Sequence, residues 1–185
     1  MLLPHGRDIS SNQVELIVGR EFPIRRFVSL CNSLVWATSK SRELAQTSFT
    51  ERVLVSDSGI DAEWTIEMPE ALPQGALICQ GWNVLQYKQR DVTSSDRQKI
   101  VTGLRRELRG AAQEVFTRTG NRPDHYSLFT NVDLTHKEKE DLKVVIREGF
   151  DHPLEVTIRG AAEVAVLLND LPHLRSAFFS TLCRQ

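Results

Sequence analysis

Three side chains in the first half of the chain have types and spacing that can do chemistry. Asp61 opens an alternating run over 60–68, and Gln86 and Lys88 close an apolar run over 82–88. Residues two apart in a β-strand share a face, so Gln86 and Lys88 point the same way. If the two runs pair so that Asp61 comes to that face, a carboxylate, an amide oxygen and an ammonium converge. The two oxygens are hard donors suited to Mg²⁺, which also keeps several waters. The ammonium would orient or help deprotonate an attacking water and offset the charge that builds at phosphorus. This combination suits hydrolysis of a phosphodiester.

Other catalytic signatures are missing. The sequence holds no GxxxxGK[ST] loop, no GxGxxG and no GxSxG elbow. His5, His125, His136, His152 and His173 are scattered without zinc-ligand spacing, and each is assigned to the surface. The three cysteines, Cys31, Cys79 and Cys183, are far apart and odd in number, which reads as a reduced, cytoplasmic protein. The first residues lack a basic segment followed by a long apolar stretch, and no apolar run has the length of a membrane span, so no membrane partner is expected. At 185 residues the chain is expected to form one domain with a real core.

The net charge of −1 excludes binding to nucleic acid by bulk charge alone. Its distribution is uneven. Asp57, Asp61, Glu63, Glu67 and Glu70 fall in a stretch with no Lys or Arg, and a basic stretch from Lys88 to Arg109 follows. That order places a possible cation site beside a possible phosphate-facing surface.

The elements that must position the three residues can be read from periodicity. Residues 1–21 look like a loose arm, and 22–185 form the domain. A helix starts at Phe22, with Phe27, Leu30, Cys31, Leu34 and Val35 on one face, and is expected to reach Leu44. Strands follow at 51–56, 60–68 and within 77–88, the last two antiparallel across a Pro-containing loop. On the second strand, Ile60, Ala62, Trp64, Ile66 and Met68 share one face and Asp61, Glu63, Thr65 and Glu67 the other. Capping-box spacing at Ser95 and Gln98 opens a second helix, which Gly120 and Pro123 end. A strand at 125–132, a helix opened by Thr135 and Glu138 and closed by Gly149, a strand at 154–158, and helical segments after Gly160 and Pro172 complete the chain. The result is an α/β fold: a mixed sheet with helices on both faces. Trp36, Trp64 and Trp82 are assigned to the core.

In this setting, Ser58-Gly59-Ile60-Asp61-Ala62-Glu63-Trp64 followed by Trp82-Asn83-Val84-Leu85-Gln86-Tyr87-Lys88 resembles the PD-(D/E)XK restriction-endonuclease-like superfamily. The Gly-x-Asp context and the Q-x-K ending resemble its Mrr-like branch. The tail from Val156 through Arg175 resembles the end of nuclease domains placed before STAND-type ATPases in bacterial antiphage defence proteins. The resemblance covers most of 22–180 and implies an α-β-β-β-α-β core. It implies a metal-dependent endonuclease acting on DNA and leaving 5′-phosphate and 3′-hydroxyl ends. Asp61, Gln86 and the Tyr87 backbone carbonyl would hold Mg²⁺, with Mn²⁺ as a substitute, and Lys88 would support the water. Gln86 stands where many relatives carry a glutamate. It keeps the oxygen but removes a charge, so metal affinity should fall. The further acid that the superfamily often supplies falls to Glu43, Glu21 or Glu63.

Lys99, Arg105, Arg106 and Arg109 lie opposite the apolar stripe of the 95–119 helix and are candidate phosphate contacts. Weak DNA affinity points to dependence on clustering, through a homo-oligomer or fusion to an oligomerising ATPase or sensor. The rival expectations are a nuclease-like fold that does not cut and serves as an interaction or regulatory module, and an α/β domain with a deep apolar ligand pocket away from Asp61.

Overall fold

The computed structural model describes residues 8–39, 48–51, 60–66, 72–92, 96–150 and 154–179. In chain order these form α1 (Ser11–Glu21), α2 (Ile24–Thr38), β1 (Ser48–Glu51), β2 (Ala62–Ile66), β3 (Gly81–Lys88), α3 (Arg97–Thr119), β4 (His125–Thr130), α4 (His136–Phe150), β5 (Glu155–Arg159), α5 (Ala161–Asp170) and α6 (Pro172–Phe178). The five strands make one mixed sheet in the order β1-β2-β3-β4-β5. β1, β2 and β3 pair antiparallel, and β3, β4 and β5 pair parallel. The parallel half needs crossover helices, which α3 and α4 supply. Both crossovers step the same way across the sheet, so the right-handed rule puts both helices on one face. Val84, Tyr126, Leu128, Val156 and Ile158 pack there against Leu104, Leu108, Leu142 and Ile146. The other face carries Ala62, Trp64, Ile66, Leu85 and Tyr87, covered by α1, α2, α5 and α6.

Helix boundaries follow local chemistry. Asp96, not Ser95, caps α3, accepting from the Gln98 N–H at 2.9 Å; Ser95 lies outside the described residues. Gly120 ends α3 with φ of 67°, a left-handed conformation that favours glycine. Thr135 and Glu138 form the expected capping box on α4. Gly149 does not close α4 but lies within it. A Cβ there would sit 2.5 Å from the Ala112 Cβ, so the missing side chain is what lets α3 and α4 touch.

The expected arm is the main correction. Ser10 and Gln13 form a capping box, and residues 11–21 are a helix. Val14 and Val18 are fully buried, each worth about 1.5–3 kcal/mol of removed apolar surface. Further expectations change. α2 ends at Thr38, and β1, described over Ser48–Glu51, begins before the expected 51–56 strand; 40–47 and 52–59 lie outside the described residues. His125 is buried at the start of β4, its Nε2 2.8 Å from Thr157 Oγ1. Trp36 is 42% exposed and leans edge-on against buried Trp64 at 4.7 Å. Trp82 is half-buried.

Candidate active site

The β2–β3 register decides whether the three residues meet. Ala62 pairs with Leu85, so one step back along β2 brings Asp61 opposite Gln86. Leu85 and Tyr87 face α2; Val84, Gln86 and Lys88 face α3. Asp61 is tied into the ladder at both ends. Its N–H donates to the Leu85 carbonyl at 3.1 Å, and its Oδ2 accepts the Tyr87 N–H at 2.6 Å. A charge-assisted bond of this kind is worth about 1.5–3 kcal/mol and fixes the carboxylate. A strand residue sends its N–H and C=O to the same edge, so the Tyr87 carbonyl also faces the Asp61 side.

Asp61, Gln86 and Lys88 line one pocket of about 310 Å³, floored by Ile60 and roofed by α3 through Arg106, Glu107, Gly110, Ala111 and Glu114. Nothing beyond its chain neighbours and its own helix backbone lies within 4 Å of where a Gly110 Cβ would be, so the helix surface stays open above the strands. Three carboxylates (Asp61, Glu107, Glu114) face two cations (Lys88, Arg106) across this space.

Each side chain has a distinct setting. Gln86 is only 2% exposed, and its Oε1 accepts from the Tyr126 hydroxyl. Burial first, and the Asp61 charge second, push the Tyr126 phenol far above its usual range. The same two causes, in the same order, raise the thiol of Cys31 on α2. The Asp61 charge is therefore felt on both faces of the sheet, as expected at the open head of a strand. The Lys88 side chain is 23% exposed; its Nζ lies 3.8 Å from Glu107 Oε2, and Arg90 Nη2 binds that same oxygen at 2.5 Å. The Lys88 carbonyl accepts from Thr130 Oγ1 at 2.6 Å.

The strand exit just past Lys88 is clamped by α1. Gln89 Nε2 donates to the carbonyls of Val18 and Phe22, both at 2.6 Å. Asn131 bonds the Arg90 N–H and C=O and the Glu15 carbonyl. A Cβ at Gly19 would sit 2.7 Å from the Arg90 carbonyl oxygen, so a glycine is what lets α1 reach this strand. The segment read as an arm thus holds the backbone that carries Lys88.

The remaining candidates divide. Glu63 shares the Asp61 face, but its Oε2 takes the Trp82 indole N–H at 3.1 Å, and it does not line the pocket. Glu43 lies outside the described residues, and Glu21 is exposed at the end of α1. Among the described residues, no three His, Cys, Asp or Glu side chains cluster as a metal site would require. The pocket offers a divalent cation the carboxylates of Asp61, Glu107 and Glu114 and the amide of Gln86, whose Oε1 here takes the Tyr126 hydroxyl; the Tyr87 carbonyl lies on the Asp61 edge of β3. Such hard oxygens fit Mg²⁺ with its retained waters.

The four basic residues of α3 do not form one surface. Arg105 pairs with Asp141 at 3.0 Å and Arg109 with Glu148 at 3.2 Å, both on α4. Arg106 turns to the pocket and, with Lys99, Gln98 and Thr102, also borders an adjoining depression of about 390 Å³.

Sequence reasoning did not single out Glu107, Glu114 or Tyr126 as site residues. Glu107 and Glu114 stand seven residues apart, two helical turns, on the face that Gly110 leaves open. That spacing was the available signal. Tyr126 sits in a strand whose six residues are all buried, so its hydroxyl had to find a partner inside. No family model, no curated protein and no solved structure matches the chain.

Proposed function

We propose that this domain is a metal-dependent endonuclease hydrolysing DNA phosphodiester bonds, of the PD-(D/E)XK type and its Q-x-K branch. The observation that supports it most is the shared pocket of Asp61, Gln86 and Lys88. The order α2-β1-β2-β3-α3-β4 also fits an α-β-β-β-α-β core. Mg²⁺, or Mn²⁺ in its place, would supply Lewis acidity at the scissile phosphate. Asp61, Gln86 and the Tyr87 carbonyl would hold it. Lys88 would orient the attacking water and offset charge developing on the phosphate oxygens. Arg106, at the pocket rim, would grip a neighbouring phosphate.

In the reading we favour, the domain is an effector module of bacterial antiphage defence, working in the cytoplasm. It would be brought to its DNA as a homo-oligomer or by fusion to an oligomerising ATPase or sensor. Among the described residues no helix is long and apolar enough to cross a membrane.

A second reading, a nuclease-like interaction or regulatory module without cleavage, is favoured by two observations. Gln86 Oε1 already accepts a hydrogen bond, and the pocket has no cluster of three ligating side chains. Nicking of supercoiled plasmid separates the two. The nuclease reading expects Mg²⁺- or Mn²⁺-dependent nicking, lost in Asp61→Ala and Lys88→Ala proteins whose circular dichroism is unchanged. Absence of nicking by the unaltered protein at high concentration with either metal favours the non-cutting module.

A further inference from the structure

Gln86 poses a problem for any cation site because the two ends of its side chain differ. Only the oxygen is a ligand; the NH₂ end would repel a cation. Whichever end turns inward needs a partner. The side chain is 2% exposed, so the protein has to supply it. Its hydrogen-bond partner is the hydroxyl of Tyr126, contributed by the neighbouring strand. Val84 pairs with Tyr126 and Gln86 with Leu128, which makes Tyr126 the diagonal neighbour of Gln86 on the α3 side of the sheet. The Tyr126 ring is fully buried and held edge-on by Phe150 of α4 at 5.7 Å, so the hydroxyl is delivered from a rigid base.

We infer that Tyr126 is a positioning residue: its hydroxyl, which here donates to Oε1, can instead accept from Nε2, so that the Gln86 amide can turn its oxygen to a divalent cation shared with Asp61 and keep its inward end paired. This rests on the cation role proposed above for Asp61 and Gln86. A hydroxyl carries one proton and two lone pairs, so it can donate to Oε1 or accept from Nε2. Either end of the amide can therefore turn inward and stay paired, leaving the other end for the pocket. A phenyl ring offers neither bond. In Tyr126→Phe the inward end of the amide would be an unpaired buried group, and the side chain would turn to find a partner elsewhere. A carboxylate has no wrong end to present to a cation, since both are oxygens, although its inward oxygen also loses a partner in Tyr126→Phe. Glutamate at position 86 should therefore need Tyr126 far less for cation binding, though not for stability.

The test is Mn²⁺ binding, followed by the loss of the free-ion electron paramagnetic resonance signal in the absence of DNA. Ligand-orienting partners of this kind typically change metal affinity roughly 10–100-fold when removed. We expect at least a tenfold weakening in Tyr126→Phe, with near-ultraviolet circular dichroism unchanged. We also expect recovery to within threefold of Gln86→Glu in the Gln86→Glu/Tyr126→Phe double variant. Phe150→Leu, which loosens the same packing but leaves the hydroxyl, should bind within threefold of the unaltered protein. Equal Mn²⁺ affinity in Tyr126→Phe overturns the inference and leaves the cation site standing. Failure of the double variant to recover, or an equal loss in Phe150→Leu, also overturns it, because the effect is then one of packing. Absence of Mn²⁺ binding by the unaltered protein removes the cation site itself, and the role of Tyr126 with it.

Discussion

Replacing Gln86 by glutamate should make the protein less stable and its stability more dependent on divalent cations. The side chain at 86 is 2% exposed and stands opposite Asp61 across the β2–β3 pair. Burying one uncompensated charge costs several kcal/mol after relaxation, about 5 as a working figure. The Tyr126 hydroxyl, already bonded to Oε1, would return about 2 kcal/mol as a charge-assisted bond. The net loss is about 3 kcal/mol, which at a urea slope of about 2 kcal/mol/M lowers the unfolding midpoint by about 1.5 M. A cation reverses part of this, since two facing carboxylates bind it more tightly than a carboxylate and an amide. At a Mg²⁺ concentration one hundred times the variant's Kd, binding stabilises it by about 2.7 kcal/mol. If the unaltered protein binds tenfold more weakly, it gains about 1.4 kcal/mol from the same Mg²⁺. The gap between the two proteins should therefore narrow by about 1.3 kcal/mol. The assay is urea unfolding of both proteins in EDTA and in Mg²⁺. A gap that is the same in both conditions would refute the reasoning, because position 86 would then have no part in holding a cation.

Three further outcomes follow from the geometry. Gly149→Ala must push α3 and α4 apart, since its Cβ would lie 2.5 Å from that of Ala112; a loss of about 1–3 kcal/mol should lower Tm by several degrees in calorimetry. Arg106→Ala should weaken DNA binding and flatten its salt dependence by about 0.9 for the one lost phosphate contact, whereas Arg105→Ala, whose guanidinium already pairs with Asp141, should leave the slope nearly unchanged. The thiol of Cys79 is raised to about 11, chiefly by burial and secondarily by Glu155 and Asp124, so at pH 8 only about one molecule in a thousand carries the reactive thiolate. Alkylation by iodoacetamide, read by peptide mass mapping, should be slow at pH 8 and accelerate about tenfold per pH unit up to the pKa.

The parts of the fold set by periodicity could be read from the sequence. The alternation at 62–66 and the 3.6-residue stripe from Ile100 to Val115 each predicted the right element and the right buried face, but Ile60, expected beside Ala62 and Trp64, lies ahead of β2 and packs on the α3 side instead. The facing of Asp61 and Gln86 followed from a choice of register, and strand register is strongly fixed wherever one face is buried. α1 was missed because its stripe is narrow. Val14 and Val18 alone are buried within it, and its value to the fold comes from contacts with Gln89, Arg90 and Asn131, far away in sequence. Gly149 was misread because a glycine near a helix end looks the same whether it stops the helix or admits a neighbour; only the position of α3 distinguishes them. The pocket roof was missed for a similar reason. Which face of a charged helix overhangs a strand is set by α3–α4 packing, and α4 takes Arg105 and Arg109 away from the pocket while leaving Arg106 and Glu107 above it.

The most direct measurement is a crystal of the protein soaked in Mn²⁺, examined by anomalous scattering. The cation should appear in the pocket under Gly110, within about 2–2.6 Å of an Asp61 carboxylate oxygen, the Gln86 amide oxygen and the Tyr87 carbonyl, with waters completing its shell. A pocket without an anomalous peak at saturating Mn²⁺, or a peak that touches neither Asp61 nor Gln86, would contradict a cation-dependent site on these two strands.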